Sequence, residues 1–263
     1  MVVLSPSVLT GLAQNRARVQ ERVREAARAV GRDPEGVRIV TVTKKVSAEV
    51  ARALVEVGAT ELGENRVDEL ERKVRWFRAR GLAARWHFIG HLQRNKAKRV
   101  FPLADEIHAV DSARLLETLL ALAAERPERP GLYLQVKLAD EQAKGGLAPE
   151  EVEALVTRLQ EDRGLPLFGL MAMAPLETDP TRARERARET FDGLAALART
   201  LPADAFAEGR PLLSMGMSGD LEEAIAAGAD CVRIGSSFYR GLLDDAVTAV
   251  APLPPVDEGR TDG

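Results

Sequence analysis

Near the start of the chain, Leu12, Val19, Val23, Ala26 and Val30 share one face at helical spacing, with arginine and glutamate between them. That periodicity predicts an amphipathic helix, and Ser7 is its candidate cap. Asp33-Pro34-Glu35-Gly36 follows, a run of turn formers that ends the helical pattern.

Beyond this break the pattern changes and repeats. VRIVTVTK (37–44) is a short apolar run, followed by a helical stretch over 47–57 that stops at Gly58. ELGENR (61–66) leads into a helix over 67–79, and WHFIG (86–90) leads into RNKAKRV. EIHAVD (106–111) leads into a Leu/Ala helix at 112–125, and GLYLQVKL (131–138) into 149–161. LFGLMAMA (167–174) precedes 180–200, LLSMGM (212–217) precedes 219–228, and CVRIGSS (231–237) precedes a short helix near 238–249. The strand runs are continuous rather than alternating, as where helices cover both faces of a parallel sheet.

Eight such units in about 210 residues fit the arithmetic of a (β/α)8 barrel, which typically takes about 250 residues. The fold class is therefore α/β, a single TIM barrel with an extra N-terminal helix. A doubly wound open sheet is the rival; it suits fewer strands, and no GxGxxG follows the first one. Residues 1–249 read as the barrel domain. The Pro-, Gly- and charge-rich stretch 250–263 reads as a disordered tail.

Composition narrows the partners. The 263 residues are 45% hydrophobic, enough for one large core. A formal net charge of -3 and a pI near 5.8 point away from nucleic acid and membrane surfaces. No apolar stretch approaches the ~20 residues of a membrane span, and the N-terminal segment lacks the apolar core of a signal peptide. A single cysteine, Cys231, excludes a disulfide framework and fits a reducing, cytoplasmic setting.

Functional groups of such barrels sit at the C-terminal ends of the strands. That rule selects Lys44 and Lys45, Asn65, His91, Asp111, Met173, Ser214–Ser218 and Gly235–Ser237. Loops after the seventh and eighth strands frequently hold phosphate, through outward N–H groups and a helix dipole. Gly216 and Gly235 permit close backbone approach, Ser214, Ser218, Ser236 and Ser237 offer hydroxyls, and Arg233 adds a charge for phosphate or a ring nitrogen. SMGMSGD alone also reads as an ordinary strand-to-helix turn with Ser218 or Asp220 as N-cap. The pair of turns favours the phosphate cradle.

The first-strand lysines stand out because only seven of the 37 basic residues are lysines. A lysine desolvated in a barrel mouth has a lowered pKa, and a neutral amine attacks carbonyls to form a Schiff base. Lysine plus phosphate cradle predicts either a pyridoxal 5′-phosphate (PLP) site or a cofactor-free aldolase for a sugar phosphate. Alternation does not choose between the lysines: Lys44 shares parity with Val40 and Val42, Lys45 with Thr41 and Thr43. His87 reads as structural, and His91 as rim contact or structure. HFIGH lacks the context of a zinc motif, so no metal site is expected. Cys231 reads as a buried hydrophobe, and Met171, Met173, Met215 and Met217 as core or pocket wall.

Several stretches together resemble a known family: VTVTKKVS (40–47), GATELGENRVDEL (58–70), WHFIGHLQRNKAK (86–98), HAVDS (108–112), GLMAMAP (169–175) and LSMGMSGDLEEAIAAGADCVRIGSS (213–237). They are similar to the pyridoxal phosphate homeostasis proteins, which resemble the barrel half of fold-type III PLP enzymes such as alanine racemase, without the C-terminal β domain. The resemblance implies PLP held as a Schiff base on Lys44. It implies phosphate contacts from Ser214, Met215, Gly216 and Ser218 and from Gly235 and Ser236. It implies Asn65 near the cofactor and Arg233 near the pyridine or phosphate. The chain departs from the usual family pattern at Asp68, at Lys137 and at Ser236–Gly241, which includes Arg240.

A racemase needs a base on each face of the cofactor ring. Tyr133 is expected inside the fifth strand and Tyr239 after the eighth, and the stretch after residue 249 is expected to hold no second domain. The reading is therefore a non-catalytic, monomeric PLP carrier that buffers PLP or delivers it to PLP-dependent apoenzymes. A racemase-like enzyme and the aldolase are the alternatives.

Overall fold

The computed structural model describes residues 4–138 and 145–242. Eight strands alternate with helices after a first helix α1 (Pro6–Ala29). The units are β1 (Arg38–Val42) with α2 (Ala48–Glu56), β2 (Glu61–Glu64) with α3 (Val67–Arg78), and β3 (Arg85–Phe88) with α4 (Arg94–Val100). They continue as β4 (Glu106–Val110) with α5 (Ala113–Glu125), β5 (Gly131–Gln135) with α6 (Pro149–Asp162), and β6 (Leu167–Met171) with α7 (Pro180–Thr200). The last are β7 (Leu212–Ser214) with α8 (Leu221–Ala226), and β8 (Cys231–Ile234) with a 3-10 turn over Ser236–Tyr239.

All strand pairs are parallel and the sheet closes. Thr41 of β1 faces Leu62 of β2 on one side and Ile234 of β8 on the other, which eliminates the open-sheet alternative. Three local expectations are corrected. Ser5, not Ser7, caps α1: its Oγ accepts from the Val8 N–H, and Pro6 fits a first-turn position where no N–H is needed. Val30 lies past the helix end and is 44% exposed, while Ala27 is buried in its place. The expected helix near 238–249 is replaced up to Tyr239 by the 3-10 turn, and the stretch from 243, with the expected tail, lies outside the described residues. Among the described residues no helix is long and apolar enough to cross a membrane.

The helices cover the barrel with aliphatic side chains, but its interior is polar. Glu106, with no exposed surface, sits at the base of β4 and accepts from Arg38 Nη1 (2.7 Å) and Arg85 Nε (2.9 Å). Above it His87 Nδ1 meets His108 Nε2 at 3.0 Å, and His108 Nδ1 meets Ser214 Oγ at 2.8 Å. The Tyr133 ring stacks on His108 with centroids 4.3 Å apart. Arg233 Nη1 donates to the same Ser214 Oγ at 2.7 Å. The column thus runs from the bottom of the barrel to its mouth, each buried polar group satisfied by the next.

Outside the sheet, between the strand ends and α3, lies a second buried pair. Lys73 Nζ donates to Glu64 Oε1 (2.5 Å) and to the Thr43 carbonyl (2.7 Å), with neither side chain exposed. Thr43 Oγ1 donates to Glu64 Oε1 at 2.5 Å. The pair anchors the end of β1. On the far side α1 braces two loops. Asn15 Nδ2 donates to the Phe238 and Arg240 carbonyls, and Arg22 Nη1 to the Ser218 carbonyl.

Removing one partner of a buried pair leaves an uncompensated charge. Lys73→Met is expected to lower stability by about 3–5 kcal/mol, and adding Glu64→Leu to recover most of it. Denaturant unfolding of the two variants checks this, and a single-variant loss below about 1 kcal/mol contradicts it. Burial pushes the His108 imidazole down to about 3 despite the neighbouring Glu106. In the unfolded chain it titrates near ~6.5. Between these values the unfolded chain holds a proton that the native state does not, so His108 makes stability fall as pH falls, by up to about 1.4 kcal/mol per pH unit. For His87 burial alone would lower the imidazole, yet the Glu106 and Glu61 carboxylates carry it above its ordinary value, so its contribution is lost only as pH rises. His108→Gln is expected to flatten the fall of the urea midpoint between about pH 6.5 and 4; an unchanged slope refutes the assignment.

Candidate functional site

Closure brings the C-terminal strand ends around one cavity of about 890 Å³. Its wall includes Val42, Lys44, Lys45, Asn65, His91 and Gln135 on one side. Met173, Met217, Ser218, Gly219, Arg233, Gly235, Ser236 and Tyr239 form the rest of the wall used here. Both lysines border it and both are exposed. The burial expected to desolvate Lys44 is therefore not found. Alternation assigns faces along β1 once the barrel is closed. Val40 and Val42 lie against the positions where Gly63 and Gly235 would carry a Cβ, on the interior face, while Thr43 turns outward to Glu64. Alternation stops there: β1 ends at Val42, Lys44 and Lys45 lie in the turn that follows, and both border the cavity.

Asn65 follows β2. Its Oδ1 is buried and has no hydrogen-bond partner among the described residues. Glycine is required at 90 because an added Cβ would lie 2.2 Å from the Asn65 carbonyl oxygen, so the chain after β3 packs directly on Asn65. His91 comes next, with Nδ1 2.7 Å from Asp111 Oδ2 after β4. Its side chain is 67% exposed and that of Asp111 8%. Gln135 ends β5, and its Nε2 donates to the Gly145 carbonyl at 2.7 Å.

The opposite wall carries positive potential. Gly216 has φ +91, and a Cβ there would lie 2.4 Å from Ala224 Cβ; this left-handed residue turns the chain from β7 toward α8. Met217 N–H donates to Asp220 Oδ1 (2.5 Å), so Asp220 ties the turn itself and makes no side-chain cap to α8. The N–H groups of Ser218, Gly219, Gly235 and Ser236 donate to no protein group among the described residues. Arg233 is 4% exposed, and its bonds go to Ser214 Oγ and, from Nη2, to the Ala172 carbonyl (3.0 Å). It makes no salt bridge to a carboxylate among the described residues. Burial pulls its guanidinium below the usual arginine range.

A buried cation without a counter-ion and four free N–H groups suit an anion, and an amine across the cavity suits an electrophilic carbonyl. PLP carries both functions, so the residues present fit it. Of the nine residues expected at a cofactor, Lys44, Asn65, Ser218, Arg233, Gly235 and Ser236 line the cavity, and Ser214, Met215 and Gly216 do not. Ser214 and Met215 are completely buried. Ser214 Oγ accepts from Arg233, and so orients that guanidinium. Tyr239 borders the cavity, with its hydroxyl donating to the Val42 carbonyl at 3.0 Å. Tyr133 is buried deep in the column, its oxygen accepting from Arg38 Nη2 (2.6 Å). Gln135, Gly145 and Gly219 were missed by the strand-end rule as applied to the sequence; Gln135 is the polar end of an otherwise apolar run, which is a usable signal. Of the departures from the family pattern, Asp68 pairs with Arg99 on the surface, and Arg240 borders a separate groove against α1.

The family model for the alanine racemase N-terminal domain matches residues 14–242. The pyridoxal phosphate homeostasis protein of Escherichia coli K12 is 34% identical over 235 residues, covering 88% of this chain and 97% of that protein. Its namesake in Pseudomonas aeruginosa is 37% identical over 234 residues, covering 88% and 96%. PipY of Synechococcus elongatus, solved with PLP bound, aligns with a TM-score of 0.73 at 30% identity, covering 87% of this chain and 99% of that one. Alanine racemase from E. faecalis, at 19% identity and a TM-score of 0.61, shares the fold, this chain covering 58% of it. The chain therefore belongs to the alanine racemase N-terminal domain family and, within it, to the pyridoxal phosphate homeostasis proteins.

Proposed function

We propose that this chain binds pyridoxal 5′-phosphate at the mouth of its barrel and carries or buffers it in PLP homeostasis, without turning over a substrate of its own. One observation supports this most directly. The Lys44 amine shares a cavity with a buried, carboxylate-free Arg233 and the unengaged N–H groups of two loops. When bound, PLP supplies an aldehyde that condenses with a primary amine.

In this reading Lys44 Nζ is the attachment point. The N–H groups of Ser218, Gly219, Gly235 and Ser236 hold the phosphate, with the Ser218 and Ser236 hydroxyls beside them. Arg233, aimed by Ser214, places its charge where the cofactor is anionic or offers a ring nitrogen. Asn65 Oδ1, buried and unpartnered, accepts a hydrogen bond from the bound molecule. Tyr239 is not supported as a racemase-type base: its hydroxyl bonds a backbone carbonyl and its pKa is pushed up by burial and by Glu64. The carrier reading also takes the chain as a monomer that gives its PLP to apoenzymes.

The test is the absorbance of the purified protein with added PLP, followed by borohydride reduction and mass mapping. The expected result is a yellow protein with the adduct on Lys44, with Lys44→Ala colourless and Lys45→Ala still coloured. An adduct on Lys45, or a colourless wild type, overturns the reading. Light scattering of the loaded protein is expected to give the mass of one chain.

A further inference from the structure

Four consecutive strand ends line up Lys44 after β1, Asn65 after β2, His91 after β3 and Asp111 after β4. The last two form a pair that the binding roles above leave unused. Asp111, nearly buried, holds His91 Nδ1 at 2.7 Å, while the imidazole itself is largely exposed and faces the cavity that contains Lys44. His91 Nε2 has no hydrogen-bond partner among the described residues. A carboxylate behind one ring nitrogen fixes the tautomer and leaves the other nitrogen to exchange a proton. Both ring nitrogens of His87 and His108 are engaged by neighbours, which leaves those histidines no such free nitrogen.

We propose that His91, oriented by Asp111, is the acid–base group through which Lys44 takes up and returns an aldehyde. This inference rests on Lys44 being the attachment point. In uptake, the neutral Lys44 Nζ adds to the aldehyde carbon, forming the C–N bond, and one N–H proton ends on the former carbonyl oxygen. His91, entering as the imidazolium with Nδ1–H held by Asp111, then donates its Nε2 proton to that hydroxyl as the C–O bond breaks and water leaves, and becomes the neutral imidazole. The remaining N–H proton of Lys44 returns to His91 as the C=N bond forms. Amine and aldehyde become imine and water, with no redox change. In release the steps reverse, and His91 draws the proton from the attacking water. His91 thereby sets how fast the protein loads and unloads, while Asp111 is a positioning residue.

The experiment mixes the PLP-free protein with PLP, quenches with borohydride at intervals and measures the fraction modified at Lys44. Unloading is followed by dilution into excess semicarbazide. His91→Ala is expected to slow both directions by about 10- to 100-fold, so the rate constants fall far more than the final loaded fraction. Asp111→Asn is expected to slow them less. Free imidazole should restore part of the rate in His91→Ala and leave the wild type unchanged, a response that a merely structural histidine would not give. Repeating the loading with pyridine-4-carboxaldehyde, which lacks phosphate, should give the same relative loss. Equal rates in wild type and His91→Ala, or a loss that imidazole does not restore, overturn this inference and leave the PLP site standing. A wild type that carries no Lys44 adduct overturns both.

Discussion

A carboxylate with no exposed surface at the base of a barrel is the constraint on which the rest of this interior depends. Glu106 is stable there only because Arg38 and Arg85 donate to it and two histidines lie beside it. Its pKa is far below the usual carboxylate range: burial opposes ionisation, but the neighbouring His108 and His87 and the hydrogen-bonded Arg38 outweigh it. Most barrels fill this space with branched aliphatic side chains in layers. Here each polar group requires the next, and the sequence of partners ends at Arg233. The charge needed at the mouth is therefore held from below, with Ser214 as the last link.

That arrangement divides the rim by chemistry. Strand ends β1 to β4 supply an amine, an amide oxygen and a histidine–aspartate pair. Strand ends β7 and β8 supply free N–H groups and a guanidinium. The division follows from strand order: neighbouring ends share local chemistry, while the closed barrel sets the two arcs opposite each other across one cavity. Secondary supports keep each arc in place. Lys73 and Glu64 secure the end of β1 behind Lys44, and α1 secures the loops after β7 and β8 through Asn15 and Arg22.

Much of this was readable before the fold was known, because parallel strands buried on both faces leave apolar runs and their C-terminal ends are marked by polar residues. Lys44, Asn65, Ser218, Gly235 and Ser236 were found by that rule, Arg233 by its place beside the last of these turns, and all border the cavity. Ser214 and Met215 were misjudged for one reason. The boundary of β7 falls at Ser214, so the chain turns outward later than a motif of small residues suggests. Lys73 gave no signal at all. In the sequence it is one lysine in a helix of charges, and only packing against β2 shows it to be fully buried.

The sequence by itself determined the units, their order and the residues that end each strand, because these depend on local periodicity and turn chemistry. Only the tertiary structure decided that two adjacent lysines both border one cavity, and that the serine ending β7 accepts from a buried arginine. It also decided that, among the described residues, His91 keeps one nitrogen unengaged while His87 and His108 keep none. The reason is the same in each case: these are questions of what a side chain meets across the barrel, and sheet closure brings together residues up to about two hundred positions apart, as with Val42 and Tyr239, whose spacing along the chain carries no record of the contact.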